Sequence, residues 1–196
     1  RADAGSLLLL EALDRAVVGG ELATGDERSG AAAEDGAGEN AMARADGDAG
    51  DLPLAVDLGC GNGLLTAYLA TALPEARVLG SDDDADAVAS SRATLAASGL
   101  DREGVEVTWD VSLSRCEEAS ADLVLLNPPF HDGTVVDATL VQGLLDAAAR
   151  VLRPGGQLWF VHNSHLRYRP ELEARFGAVR QRARDRRFTV LSAVRA

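Results

Sequence analysis

From Leu52 onward, short apolar segments alternate with longer segments of helical character, and this alternation constrains the fold more than any other feature of the chain. Strand–helix–strand order implies parallel strands joined by right-handed crossovers, with helices covering both faces of the sheet. The last two strand-like segments, AVRQRAR and FTVLSAVR, are separated by only a few residues, a spacing typical of an antiparallel hairpin. The sequence therefore predicts a three-layer α/β sandwich with a seven-stranded, mostly parallel sheet and one reversed strand.

The chain divides into three parts by composition. Residues 1–20 contain GSLLLLEALDRAVV, predicted to be a helix that packs on the core, with Ser6 as its N-cap. Residues 21–51 are rich in Gly, Ala and acids without hydrophobic periodicity, which predicts an acidic flexible linker or insertion. Residues 52–196 form the main domain. Because the chain begins with Arg rather than Met, residues upstream of it could be missing.

The charge of the chain is unevenly distributed. Taken alone, the net charge of −12 argues against nucleic acid as a partner. Residues 164–196, however, contain nine Arg and only three acidic residues. Two interpretations stay open for this basic tail: a solvated pair of strands, or a basic patch that faces a polyanion.

Cysteine usage and hydropathy indicate a cytoplasmic protein. Cys60 and Cys116 show neither metal-ligand spacing nor a disulfide pattern, which suits a reducing compartment. No apolar run approaches the roughly 20 residues of a membrane span, and no signal peptide is evident. His162 and His165 have no nearby metal-ligand partners, so the sequence predicts no metal site.

The segment DLGCGNG predicts a ligand-binding turn after the first strand of the main domain. Ligands of such sheets lie at the carboxyl ends of the strands. Gly59, Gly61 and Gly63 allow a sharp turn and a close approach of the backbone, and the next helix points its N-terminal amides into the site. Asp57 would repel a dinucleotide pyrophosphate and favours a ligand with a cationic amine. A plain strand-to-helix turn without a ligand is the alternative.

Acidic residues follow the second and third strands. In GSDDD, Asp82 is the candidate to accept hydrogen bonds from ribose hydroxyls, with Asp83 as the alternative. Asp84 is predicted to cap the next helix. Asp110 closes the third strand and either accepts from an adenine amino group or is a solvated turn residue. Together these residues describe an adenosine pocket without phosphate-binding groups.

The fourth strand runs into a stiff corner in DLVLLNPPFHDG. With DLGCGNG and GSDDDADAV, this segment resembles the class I S-adenosylmethionine-dependent methyltransferases, and within them the ribosomal RNA methyltransferases that act on the guanine 2-amino group. DAGSLLLLEAL, VASSRATLAASG and FTVLSAVRA share the resemblance. The chain departs from that family in its acidic insertion and in lacking the usual N-terminal domain, so it resembles the C-terminal catalytic half.

The resemblance implies S-adenosylmethionine as cofactor and ribosomal RNA or a ribosomal subunit as partner, with no membrane association. The Asn127 side-chain carbonyl and the Pro128 backbone carbonyl would each accept one N–H of the target amine and aim its lone pair at the methyl group. Phe130 would stack on the base and Pro129 would contact it. His131 would either contact the base or have a helix-capping or structural role. The residues expected to bind the cofactor are Asp57, Gly59, Gly61, Gly63, Asp82, Asp83 and Asp110.

Two other functions are compatible with these motifs. Release-factor glutamine methyltransferases also carry an Asn-Pro-Pro corner, usually with Tyr where this chain has Phe130. A cofactor-binding module without activity is the second alternative. Such a module would be expected to lose the glycines or Asn127, and this chain retains both.

Overall fold

The computed structural model describes residues 3–22, 52–128 and 138–196. The predicted linker therefore lies almost entirely outside the described residues. The helices are α1 (Ala4–Val18), α2 (Leu64–Ala72), α3 (Ala85–Ala97), α4 (Ala138–Val151) and α5 (Arg169–Arg175). The strands are β1 (Leu54–Leu58), β2 (Arg77–Asp82), β3 (Val105–Trp109), β4 (Ala121–Leu126), β5 (Leu152–Asn163), β6 (Val179–Arg184) and β7 (Phe188–Val194).

The strands form one sheet in the order β3-β2-β1-β4-β5-β7-β6. The first five strands of the chain pair in parallel, whereas β7 is antiparallel to both of its neighbours. The predicted α/β sandwich with seven strands and one reversed strand is confirmed. Because β7 is the reversed strand, β6 runs in the same direction as β5 and ends at the same edge of the sheet.

Helices cover both faces of the sheet. Residues of α1 and α2 pack with one face of β1, β4, β5 and β7, and α3 packs beside α2 over β2 and β3. The opposite face packs against α4 and α5. All six residues of β4 are buried, as expected for a central strand covered on both sides. None of the described helices is both long and apolar enough to cross a membrane.

The start of α1 differs from the sequence prediction. Asp3, rather than Ser6, is the N-cap: its carboxylate accepts a hydrogen bond from the backbone N–H of Ser6 at 2.9 Å. Both residue types cap helices well, but the apolar stripe of α1 brings its first turn down to the sheet and buries Ser6 inside the helix. Buried Leu9 and Leu13 then anchor the helix against β5 and β7.

Candidate active site

The glycine turn after β1 lies at the carboxyl edge of the sheet and is tied to β2. The backbone N–H groups of Gly59 and Cys60 donate to the Ser81 carbonyl at 2.8 and 3.0 Å. Gly59 and Gly61 have positive φ angles of 79° and 52°. A Cβ atom at either position would meet no described atom within 4 Å. These two glycines therefore border open space in which a ligand can approach the backbone.

Gly63 has different surroundings from the other two glycines. Its φ angle is 80°, and a Cβ atom there would lie 2.7 Å from the Ser91 Cα atom on α3. Since that neighbour is backbone, it cannot swing away. Close packing of α2 against α3 therefore requires a glycine at position 63, and the predicted contact of Gly63 with the cofactor stays a prediction.

Asp57 is fully buried at the end of β1. Its Oδ2 atom accepts a hydrogen bond from the Thr66 hydroxyl at 2.6 Å. Its Oδ1 atom has no hydrogen-bond partner among the described residues. Burial raises the pKa of Asp57 to about 6, although the hydrogen bonds from Thr66 oppose this rise. One buried carboxylate oxygen at the base of the glycine turn thus has no hydrogen-bond partner among the described residues.

Asp82 joins the end of β2 to the glycine turn. Its two carboxylate oxygens accept from the backbone N–H groups of Gly61 at 2.9 Å and Asp84 at 3.0 Å. Asp84 caps α3, as predicted, by accepting from the Asp86 N–H at 2.8 Å. Asp83 is exposed, and its backbone carbonyl accepts from the indole N–H of Trp109 at 2.9 Å. Asp82 is therefore the acid that contacts the glycine turn.

Asp110 is buried and makes hydrogen bonds within its own turn. Its Oδ1 atom accepts from the backbone N–H of Ser114 at 3.1 Å and from the Ser114 hydroxyl, and its Oδ2 atom accepts from the Arg115 N–H at 3.0 Å. Burial favours the neutral acid, but these hydrogen bonds outweigh it and lower the pKa of Asp110. The turn role that the sequence left open accounts for these contacts, and the adenine contact stays a prediction.

Asn127 follows β4 at the same edge of the sheet as the glycine turn. Leu126 is paired with Leu58, so Asn127 and Gly59 leave the sheet side by side. The Nδ2 atom of Asn127 donates to the Ser6 hydroxyl at 2.8 Å and to Asp3 Oδ2 at 3.3 Å. Its Oδ1 atom is buried and has no partner among the described residues. Sequence reasoning missed Asp3 and Ser6, whose position within DAGSLLLLEAL was the only available signal.

The remaining residues of the predicted substrate corner are only partly described. Pro128 ends a described range, whereas Pro129, Phe130 and His131 lie outside the described residues. His162, on the neighbouring strand, is buried against Phe160 and Tyr168, and burial lowers its pKa. In the described part of the chain, no group of three or more His, Cys, Asp and Glu residues could hold a metal ion.

Comparison with known proteins identifies the family to which the chain belongs. The family model described as "Methyltransferase small domain" matches residues 49–192. This chain belongs to the methyltransferase small domain family. The match includes the glycine turn, Asp82, Asp110 and Asn127, but not the segment that forms α1.

Curated relatives within the family carry names of ribosomal RNA methyltransferases. The chain is 41% identical over 141 residues to ribosomal RNA large subunit methyltransferase G of Shewanella amazonensis, covering 71% of this chain and 37% of that protein. It is 42% identical over 141 residues to ribosomal RNA small subunit methyltransferase C of Pseudomonas aeruginosa, covering 72% and 41%. The chain thus spans about two fifths of the length of these relatives.

A solved structure extends the similarity to the whole chain. The T. thermophilus 16S rRNA N2 G1207 methyltransferase RsmC, in complex with AdoMet and guanosine, matches with a TM-score of 0.72 and 31% identity. That match covers 100% of this chain and 44% of RsmC.

Proposed function

We propose that this chain is the catalytic part of an S-adenosylmethionine-dependent methyltransferase that modifies the guanine 2-amino group of ribosomal RNA in the cytoplasm. The observation that carries the proposal is Asn127, whose buried Oδ1 atom has no described partner and whose strand end adjoins the glycine turn. An acceptor of this kind beside a ligand-binding turn suits a target with N–H groups. The names of the relatives and of RsmC support the choice of substrate.

The described residues fit S-adenosylmethionine. Asp57 has a buried carboxylate oxygen without a described partner, which suits donors brought by a ligand with a cationic amine. Gly59 and Gly61 border open space, and Asp82 lies beside them with a half-buried carboxylate that can accept from ribose hydroxyls. When bound, this cofactor supplies an electrophilic methyl group on a sulfonium. Asp83 and Asp110 remain candidates for the adenosine end.

Asn127 and Pro128 would orient the target amine. The lone pair of an exocyclic amine is delocalised into the purine ring, so attack requires it to be localised on the nitrogen and to point at the methyl carbon, in line with the leaving sulfur. The Asn127 Oδ1 atom and the Pro128 carbonyl would each accept one N–H and thereby direct the lone pair toward the methyl group. Acceptors fixed in place before the reaction contribute through orientation and electrostatics. Phe130, Pro129 and His131 would hold the base.

The basic tail supports RNA as the partner. Since β6 runs parallel to β5, its carboxyl end and the hairpin of residues 185–187 lie at the same edge of the sheet as Asn127. Arg184, Arg186 and Arg187 are exposed at this end. A phosphate backbone docked on these guanidinium groups could carry a base toward the strand ends. That base would have to be single-stranded or flipped out of its helix. Because this chain covers only about two fifths of these relatives, the proposal includes docking of the RNA by a further domain, expected on the N-terminal side.

The proposal is tested by transfer of a radiolabelled methyl group from S-adenosylmethionine to undermethylated small subunits, undermethylated large subunits, naked ribosomal RNA and release factor, each assayed separately. We expect label in RNA, with nucleoside analysis identifying N2-methylguanosine. Label in release factor alone would show that the substrate is a protein glutamine amide rather than RNA, with the proposed methyl transfer to nitrogen unchanged. No label in any substrate would overturn the proposal, and calorimetry with S-adenosylmethionine would then show whether the chain still binds the cofactor.

A further inference from the structure

We propose that Asp3 and Ser6, at the start of α1, are positioning residues that hold the Asn127 amide in the one orientation that presents its Oδ1 atom to the target amine. This inference rests on the proposed function of Asn127. It assigns a role in the active site to a helix that precedes the matched family domain and contributes none of the predicted site residues.

The three side chains form a directed chain of hydrogen bonds. The Ser6 hydroxyl donates to Asp3 Oδ2 at 2.6 Å, so its only proton is committed to Asp3. The lone pairs of the same hydroxyl then accept from Asn127 Nδ2 at 2.8 Å. Asp3 Oδ2 lies 3.3 Å from the same Nδ2 atom and is its second acceptor. Both partners of the Asn127 amide group are therefore acceptors.

Two acceptors on one side determine which end of the carboxamide faces them. The oxygen and nitrogen ends of an Asn side chain have nearly the same shape, so packing alone does not distinguish them. With the amide flipped, the Asn127 oxygen would face a carboxylate and a hydroxyl that has no proton to offer. Burial favours the neutral form of Asp3, but hydrogen bonds from the Ser6 hydroxyl and from nearby backbone N–H groups outweigh it and lower its pKa. Asp3 thus stays an ionised acceptor at neutral pH.

The body of α1 fixes these acceptors in space. Leu9 and Leu13 are fully buried against the sheet, and Ser6 is 5% exposed. A Cβ atom at Gly5 would lie 3.0 Å from Asp3 Oδ1 and 3.3 Å from the Phe188 ring, so the first turn of α1 lies close to β7. The acceptors come from residues 121 and 124 positions away from Asn127 along the chain. Packing of α1 is therefore required for the orientation of Asn127.

The inference is tested in the full chain with Ser6→Ala, Ser6→Thr and Asp3→Asn. Ser6→Ala removes the hydroxyl and should lower the kcat of methyl transfer by about ten- to a hundredfold, since small losses of orientation have effects of this size. The affinity for S-adenosylmethionine, measured by calorimetry, should change by less than about threefold, and KM for RNA should change little. Ser6→Thr keeps the hydroxyl and should restore most of kcat.

A second readout does not depend on activity. The side-chain amide protons of Asn127, assigned by the signals that Asn127→Ala removes from the ¹⁵N spectrum, should exchange about tenfold faster in Ser6→Ala and Asp3→Asn. Ser192→Ala is the matched control, because it removes a buried hydroxyl that accepts from Arg182 at 2.6 Å and lies on β7, two strands away from β4 in the sheet. It should leave both kcat and the Asn127 signals unchanged.

Unchanged kcat in Ser6→Ala, or Asn127 amide exchange equal to that of the parent chain, would overturn the positioning role. An effect of Ser6→Ala no larger than that of Ser192→Ala would also overturn it. If the parent chain methylates no substrate, the proposed function fails, while the exchange measurement still decides whether α1 holds the Asn127 amide.

Discussion

The glycine turn and the Asn127 corner lie side by side at one edge of the sheet, yet they are built in different ways. The glycine turn is held by residues of β2, α2 and α3 that lie at most 32 positions away in the chain: Thr66 donates to Asp57, the Gly61 N–H donates to Asp82, and Ser91 and Thr94 donate to backbone carbonyls of the turn. Asn127 is held by Asp3 and Ser6, more than 120 residues away. One half of the site is a local motif, and the other is a product of tertiary packing.

This difference separates binding of the cofactor from orientation of the target amine. Changes in the glycine turn should act on cofactor affinity or on the free energy of unfolding. Changes at Asn127 and its partners should act on the rate of methyl transfer with cofactor affinity retained. The variants below change either the glycine turn or the Asn127 corner, so the property that belongs to the unchanged part is the internal control.

The largest effect is expected for Asn127→Ala. Loss of the Oδ1 acceptor should lower kcat by roughly 100- to 1,000-fold, the size seen when one preorganised polar group is removed from an active site. The dissociation constant of S-adenosylmethionine should stay within about threefold of the parent value. Steady-state kinetics and calorimetry on the same preparation measure both quantities.

Asn163→Ala is a matched control for that variant, because Asn163 ends the neighbouring strand β5 and has no part in the proposed mechanism. Its kcat should change by less than about threefold. Comparable turnover in Asn127→Ala and Asn163→Ala would remove Asn127 from the mechanism.

Gly63→Ala should act on stability. An Ala at a φ angle of 80° costs roughly 1–2 kcal/mol, and the contact with the Ser91 Cα atom adds an overpacking penalty of about 1–3 kcal/mol. The free energy of unfolding in urea should therefore fall by about 2–5 kcal/mol. The same change at Gly59, which faces open space, should cost only the backbone strain and should weaken cofactor binding instead. Equal loss of stability in both variants would contradict this division.

Asp82→Ala should weaken cofactor binding by roughly 10- to 100-fold, the range expected for one or two hydrogen bonds to a charged acceptor. Removal of the Asp82 carboxylate also leaves the Gly61 N–H without its acceptor, which should destabilise the glycine turn. Calorimetry with Asp83→Ala measured in parallel identifies the acid that contacts the ribose. If Asp82→Ala binds as tightly as the parent chain and Asp83→Ala does not, the contact belongs to Asp83.

The same contrast explains what the sequence could predict. Strand–helix alternation and turn spacing are local properties, so the seven-stranded sheet and the Asp84 cap were predicted correctly. The cap of α1 was predicted wrongly, because Asp3 and Ser6 are both good caps and only the burial of the first turn distinguishes them. The roles of the site residues stay predictions.

Contacts between distant segments could not be predicted from the motifs. The packing of Gly63 on Ser91 depends on the approach of α3 to α2, which glycine spacing does not encode. The contact of α1 with Asn127 depends on where the first helix packs, and nothing in NPPF specifies it.

The smallest expected effect is a pH dependence that belongs to the glycine turn alone. The pKa of Asp57 is about 6 in the folded chain, against 3.8 for an ordinary Asp side chain. Between these values the folded chain holds a proton that the unfolded chain has released, so this group's contribution to the free energy of unfolding falls as pH rises. Donors of a bound cofactor favour the charged carboxylate, so cofactor affinity should instead rise with pH, by at most about tenfold per unit below pH 6.

Asp57→Asn isolates this effect, because the amide has similar size and no charge to titrate. Calorimetry with S-adenosylmethionine between pH 5 and pH 8 should show a steeper rise of affinity with pH for the parent chain than for Asp57→Asn, with titration of the cofactor itself common to both. Over the same pH range, the free energy of unfolding in urea should fall with rising pH more steeply for the parent chain than for Asp57→Asn. Parallel affinity profiles would mean that the buried carboxylate does not contact the donors of the cofactor, and that the glycine turn binds it through backbone and Asp82 alone.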